Sequence, residues 1–150
     1  MKRFITCLIF GLFFIFLLIL YNQYQFKQNH RFGQSVPPAI SFVSLPLSSR
    51  LDQPVTINWL ITAPEGSFSS RVSLFYGPDS SPSALPVNAS PEAVGYPHES
   101  PDYKCGSFRL PDTFTYTFTP TSEGVLYYRA YSKIGNDHIW SAENQLVLQP

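Results

Sequence analysis

The chain has 150 residues, of which 44% are hydrophobic and 16% aromatic, and its ten basic and ten acidic side chains cancel to zero formal charge. The balance is uneven: Lys2, Arg3, Lys27 and Arg31 precede residue 39, while Ala39 onward carries six bases against ten acids, a net of −4. An acidic body without clustered Lys or Arg lacks the electrostatic footprint that nucleic acid requires, which excludes that class of partner.

Met1-Lys2-Arg3 opens onto an almost unbroken apolar run, Phe4 to Tyr21, that includes Phe10, Phe13, Phe14, Phe16 and Leu17 to Leu20. A run of about 18 residues reaches the lower end of what crosses a bilayer core roughly 30 Å thick. The two leading cations predict a cytoplasmic N-terminus. After the run comes Tyr21-Asn22-Gln23-Tyr24-Gln25-Phe26, without the small residues of a cleavage site; the first such pair is Gly33-Gln34-Ser35. The expectation is therefore a cytoplasmic tip (1–3), a transmembrane signal anchor (4–21), a polar stalk (22–38) and an extracytoplasmic domain (39–150). Secretion after signal cleavage is the alternative.

The domain is of the modal size for one core. High aromatic content and fourteen scattered prolines favour short strands over helices. Ile40 to Val43 begins the series. Val55, Ile57, Trp59 and Ile61 alternate with Thr56, Asn58 and Leu60, and after Pro64-Glu65-Gly66 the residues Val72, Leu74 and Tyr76 alternate again. From Asp79 to Lys104 serine and proline dominate, with Leu85-Pro86-Val87 as a short edge strand at most. A connection this long is usually functional or mobile.

Strand pattern resumes at Cys105 to Leu110. Phe114, Tyr116 and Phe118 then alternate with Thr113, Thr115, Thr117 and Thr119 in residues of high strand propensity. Val125 to Lys133 places Leu126, Tyr128 and Ala130 on one face and Tyr127, Arg129 and Tyr131 on the other. Gly135-Asn136-Asp137 reads as a hairpin turn into His138 to Trp140, and Leu146 to Leu148 ends the pattern. About seven strands with no helical period call for two antiparallel sheets packed face to face, an all-β sandwich, with a β-barrel as the alternative.

Particular residues carry a resemblance. Pro54 to Trp59 followed by Val72 to Gly77 resembles the B and C strands of fibronectin type III-like and immunoglobulin-like domains. Pro120 to Gly124 with Leu126 to Tyr131 is similar to the E–F corner and F strand, and Ile139 to Glu143 to the start of strand G. The module that heads purple acid phosphatases is similar in particular. The resemblance implies Trp59 as the core tryptophan and Tyr127 or Tyr128 near the corner. The antibody-type disulfide has no counterpart, and neither does the metal-bearing domain of those phosphatases in the residues up to Pro150. No cofactor is implied.

Candidate chemistry is sparse. His98, Glu99, Asp102 and Cys105 are all zinc-ligand types, but their spacing matches no closed Cys/His pattern, and a solvated polar loop is expected instead. A Cys105–His98 nucleophile pair would need an orienting group, for which only Asp102 or Asn88 could be named. No catalytic or metal site is expected, and His138 is read as a hairpin-end residue. Asn88-Ala89-Ser90 is formally a glycosylation sequon, followed at once by Pro91. Cys7 and Cys105 fall in different compartments and cannot pair within a molecule. Cys105 is expected either as a small buried hydrophobe or as an intermolecular thiol.

The candidate partner surface is Tyr127, Arg129 and Tyr131, extended by Phe75 if their strands are neighbours, because Tyr and Arg are enriched at interfaces. The competing reading has this face covered by the 79–104 segment. The expected function is non-catalytic binding of a protein or a surface glycan by a membrane-anchored module. The alternatives are a structural subunit of a larger envelope assembly and an accessory module of a separately encoded hydrolase.

Overall fold

The computed structural model describes residues 19–21, 36–81, 85, 86 and 88–150. It divides into two units, Met1–Ser35 and Val36–Pro150. In the first, residues 19–21 are helical and exposed. Among the described residues no helix is long and apolar enough to cross a membrane. The expected anchor, apart from its last three residues, and the stalk up to Ser35 lie outside them, as does Val87 of the expected edge strand.

In the second unit the strands are β1 (Ala39–Ser44), β2 (Ser48–Arg50), β3 (Val55–Thr62), β4 (Phe68–Gly77), β5 (His98–Glu99), β6 (Phe108–Arg109), β7 (Asp112–Phe118), β8 (Gly124–Ile134), β9 (Asp137–Trp140) and β10 (Asn144–Gln149). One helical turn, Pro91–Val94, stands between β4 and β5. A small sheet has the order β1-β3-β7. A larger one has the order β2-β10-β8-β4-β5, with β6 on β4 and β9 on β8. This is an immunoglobulin-like, fibronectin type III-like sandwich, as its B, C, F and G strand residues suggested.

The expected count of about seven strands is corrected to ten among the described residues. Strands β9 and β10 pair with successive parts of β8, at Tyr131–Ile134 and Gly124–Tyr128, so one partner of β8 is broken in two. Strands β2, β5 and β6 are two or three residues long, too short for side-chain alternation to reveal. Only Phe108–Arg109 of the expected Cys105–Leu110 strand is extended, and Leu85-Pro86 is not. The sheets are also not wholly antiparallel, since β2 runs parallel to β10.

Alternation explains the core. Val55, Ile57, Trp59 and Ile61 of β3 are buried, and they meet Val72 and Leu74 of β4, Tyr128 and Ala130 of β8 and Leu146 of β10. Trp59 stacks on Phe114 of β7 and Phe42 packs edge-on against Tyr128, with centroids 6.2 and 5.3 Å apart. Trp59 is thus the core tryptophan. Tyr128 is the inward member of the Tyr127/Tyr128 pair, but among the described residues its buried hydroxyl finds no hydrogen-bond partner, so it is not seen to tie down backbone as a corner tyrosine does.

Candidate functional site

Strand β4 presents adjacent aromatics to opposite sides of its sheet, Phe75 outward and Tyr76 inward toward β7, and the two sides meet different fates. On the outer side Phe75, Arg129 and Tyr131 do come together, because β4 and β8 pair with Phe75 opposite Arg129. They are only 5%, 3% and 0% exposed, however. Trp140 lies over them, 5.3 Å from Phe75 and 4.7 Å from Tyr131, and donates its indole N–H to Ala89 O. The described residues of the 79–104 segment thus close over the face where a partner was expected. Of that candidate surface only Tyr127 is even partly exposed.

The covering segment is pinned by two carboxylates. Glu143 accepts hydrogen bonds from the Ser80 hydroxyl (2.6 Å), the Ser81 amide (2.7 Å) and the Tyr96 hydroxyl, with Arg129 Nε 3.8 Å away. Burial works to raise its pKa, yet these donors hold it below the usual carboxylate range. Glu99 accepts from Arg71 Nη2 (2.7 Å) and Ser73 (2.7 Å), with Lys104 at 3.2 Å. Its pKa is likewise lowered in spite of burial. Backbone bonds add to the seal: Ser100 N donates to Leu74 O and Val72 N to Tyr103 O. Gly77 lets the segment approach, since a Cβ there would lie 2.6 Å from Pro97 Cδ.

The residues considered for chemistry are dispersed by this packing. Glu99 is in the Arg71–Ser73–Lys104 cluster, and His98 stacks on Tyr76, 5.3 Å between centroids. Cys105 is exposed, so its reading as a buried hydrophobe is corrected. No group of three or more metal-ligating side chains occurs among the described residues. His138 sits at the end of the β8–β9 hairpin; its Nδ1 is 2.7 Å from the Tyr131 hydroxyl, and its amide donates to Asn88 Oδ1. Asn88 of the sequon also donates from Nδ2 to Asp137 Oδ1.

On the inner side lies a groove of about 500 Å³, lined by Tyr76, His98, Tyr116, Phe118, Glu123 and Leu126 among others. Tyr76 stacks with His98, Tyr116 and Phe118 at 5.3, 6.3 and 5.6 Å, and Tyr116 with Phe118 at 5.7 Å. His98 is exposed, while Tyr76, Tyr116 and Phe118 are partly buried and pack on the core with part of each ring toward the groove. Burial, and secondarily the Tyr116 hydroxyl, push the Tyr76 phenol up to about 12, so it stays a neutral donor at any physiological pH. Sequence pattern placed Tyr116 and Phe118 on a buried strand face. What it did not convey is that β7 is an edge strand, which leaves that face uncovered at one end.

No family model matches the sequence, and no curated protein does. Among solved structures it is similar to the PKD domain of an M14-like peptidase from Thermoplasmatales archaeon SCGC AB-540-F20 (10% identity, 75% of this chain, 93% of that one, TM-score 0.47). It is also similar to fibronectin(III)-like modules of Clostridium thermocellum CbhA (14%, 76% and 46%, TM-score 0.39) and to the CARDB domain of PF1109 from Pyrococcus furiosus (9%, 75% and 94%, TM-score 0.41). The narrower likeness to the purple acid phosphatase module draws no support from these structures. It is the order and register of the two sheets that make the domain an immunoglobulin-like, fibronectin type III-like sandwich.

Proposed function

We propose that the chain is a non-catalytic binding module, held at the outer side of a membrane by the Phe4–Tyr21 run, that contacts a protein partner through the Tyr76–Tyr116–Phe118 groove. One observation carries this reading: the sandwich seals its other large aromatic cluster beneath a long segment but leaves this one open. A sizeable apolar concavity with a few polar groups at its rim is the usual form of a contact site. A protein suits the groove better than a glycan, because a sugar needs an open ring face and the faces here are already stacked on neighbouring rings. The polar groups of the lining are hydroxyls, the Glu123 carboxylate and the His98 imidazole, which can orient a ligand.

A second reading, a fixed subunit of a larger assembly, is favoured by an apolar strip that adjoins the groove at Val125. Leu47, Val125 and Val147 adjoin one another at the β2–β10–β8 edge, where Val147 pairs with Val125 and donates its amide to Leu47 O, and all three are exposed. Photo-crosslinking groups placed in the full-length protein in its own membrane, at Phe118 and at Leu47 in turn, test both. Capture of one protein from Phe118 supports the groove reading. Capture of several fixed partners from Leu47 alone supports the assembly, and capture from neither site defeats both.

A further inference from the structure

Exposed sheet edges invite further pairing, and natural folds blunt them with short strands, bulges, prolines or charges. Three of the four edges here are blunted. Strand β2 has three residues and β5 two, while β1 breaks register between Phe42 and Ser44 and is followed by Pro46. Strand β7 is different. It pairs with β3 in unbroken register from Asp112 to Phe118, and after Asp112 it contains neither charge nor proline. Thr115 donates to Asn58 Oδ1 (2.6 Å) and Thr117 shares a hydrogen bond with Thr56 (2.9 Å), which holds the strand flat against β3. Its other edge carries no strand among the described residues.

The flank beside that edge changes along its length. At the level of Phe114 it is filled by Tyr103 and Phe108, whose rings pack on Phe114 at 5.3 and 5.8 Å. At the level of Tyr116 and Phe118 the groove opens instead. A free backbone edge and an apolar trough therefore run side by side over Thr115–Thr119. Resting on the groove reading above, we propose that this flank accepts an extended segment of a partner protein as a fourth strand of the small sheet. The segment hydrogen-bonds to β7, seats alternate apolar side chains on Tyr76, Tyr116 and Phe118, and directs a lysine or arginine at Glu123. Strand addition of this kind draws affinity from main-chain bonds and specificity from pockets for alternate side chains.

Charge selects the occupant. Glu123 is the acidic residue of the lining, which includes no Lys or Arg, and the chain from Ala39 onward is net −4. A second copy adding to the same edge would bring two acidic domains together, whereas a basic segment is drawn in.

The test uses the full-length protein in detergent and a synthetic peptide that alternates valine with threonine and ends in arginine. It is compared with the same peptide ending in glutamate and with two forms N-methylated at alternate residues in opposite phases. In an added strand only every second N–H faces its neighbour. One methylated phase is therefore expected to lose at least about tenfold in affinity while the other binds nearly as well. Amide exchange over Thr115–Thr119 should slow by about tenfold or more with the arginine peptide, and less with the glutamate peptide. Phe118→Ala, judged folded by unchanged exchange in β3 and β8, should weaken the peptide. Equal loss from both methylated phases, or binding without protection of β7, overturns strand addition, as does protection by self-association without peptide. If no peptide binds while Phe118 still crosslinks to a partner, the strand mode falls and the groove reading stands; if crosslinking fails too, both fall.

Discussion

Phe75 and Tyr76 are neighbours in one strand, and the contrast between their surroundings is the main lesson of this domain. Phe75 belongs to a sealed cluster with Tyr131 and Trp140, overlaid by the described residues of the 79–104 segment and surrounded by Arg71, Glu99, Arg129 and Glu143. Tyr76 belongs to an open stack with His98, Tyr116 and Phe118 that borders solvent. Both are rich in aromatics, so composition does not separate them. What separates them is whether the chain has a segment, and fixed charges to hold it, that can cover the rings. Covered aromatics serve stability, and uncovered ones are available to a partner.

The sharpest way to break this contrast is to hollow out the sealed side. Tyr131 is fully buried, and Tyr131→Ala should cost about 3–5 kcal/mol in urea unfolding, the range for deleting a large core ring. Glu143→Ala should follow at about 2–3 kcal/mol, since it strips the acceptor shared by Ser80, Ser81 and Tyr96 and leaves Arg129 buried without its carboxylate. Hydrogen exchange should then quicken in the covering segment more than in β3. Equal quickening everywhere would show that Glu143 supports the whole fold and not the seal.

Acid should loosen the same side. Glu99 and Glu143 both have folded pKa values below their ordinary ones, so the unfolded chain binds protons first as pH falls. Their contribution is complete above the ordinary carboxylate range and is lost as pH drops through the depressed folded values. The urea midpoint should therefore fall between about pH 5 and pH 3, and Glu143→Gln should shrink that fall. An unchanged slope in the variant would remove Glu143 from the account. Gly77→Ala, whose new methyl group meets Pro97, should cost about 1–2 kcal/mol. The smallest stability effect belongs to the open side: Phe118→Ala should cost only about 1 kcal/mol while weakening binding of the arginine-ended peptide at the groove. A loss as large as that of Tyr131→Ala would mean that the groove is core, and the contrast would disappear.

Much of the fold was legible in the chain itself. The alternation Val55-Ile57-Trp59-Ile61 and the Phe/Tyr–Thr alternation of β7 are each a strand with one buried face, and both stand where expected. The hairpin at Gly135 is where its turn residues placed it, with the glycine at φ 61°. The candidate surface was legible only in part. Its residues were correctly brought side by side through the β4–β8 pairing, but their exposure was not a property of their own strands. It depended on Ala89, Tyr96 and Ser100, which show no periodicity and act through one or two hydrogen bonds each.

The amino-acid sequence alone therefore determined the all-β class, the inward faces of the long strands and the acidic character from Ala39 onward, because these depend on local alternation and on counting charges. Tertiary structure alone decided which aromatic cluster is covered and which strand is left at an edge. Those outcomes depend on where a distant, aperiodic segment comes to rest, and that is set by a few partly buried hydrogen bonds and ion pairs between residues far apart in the chain.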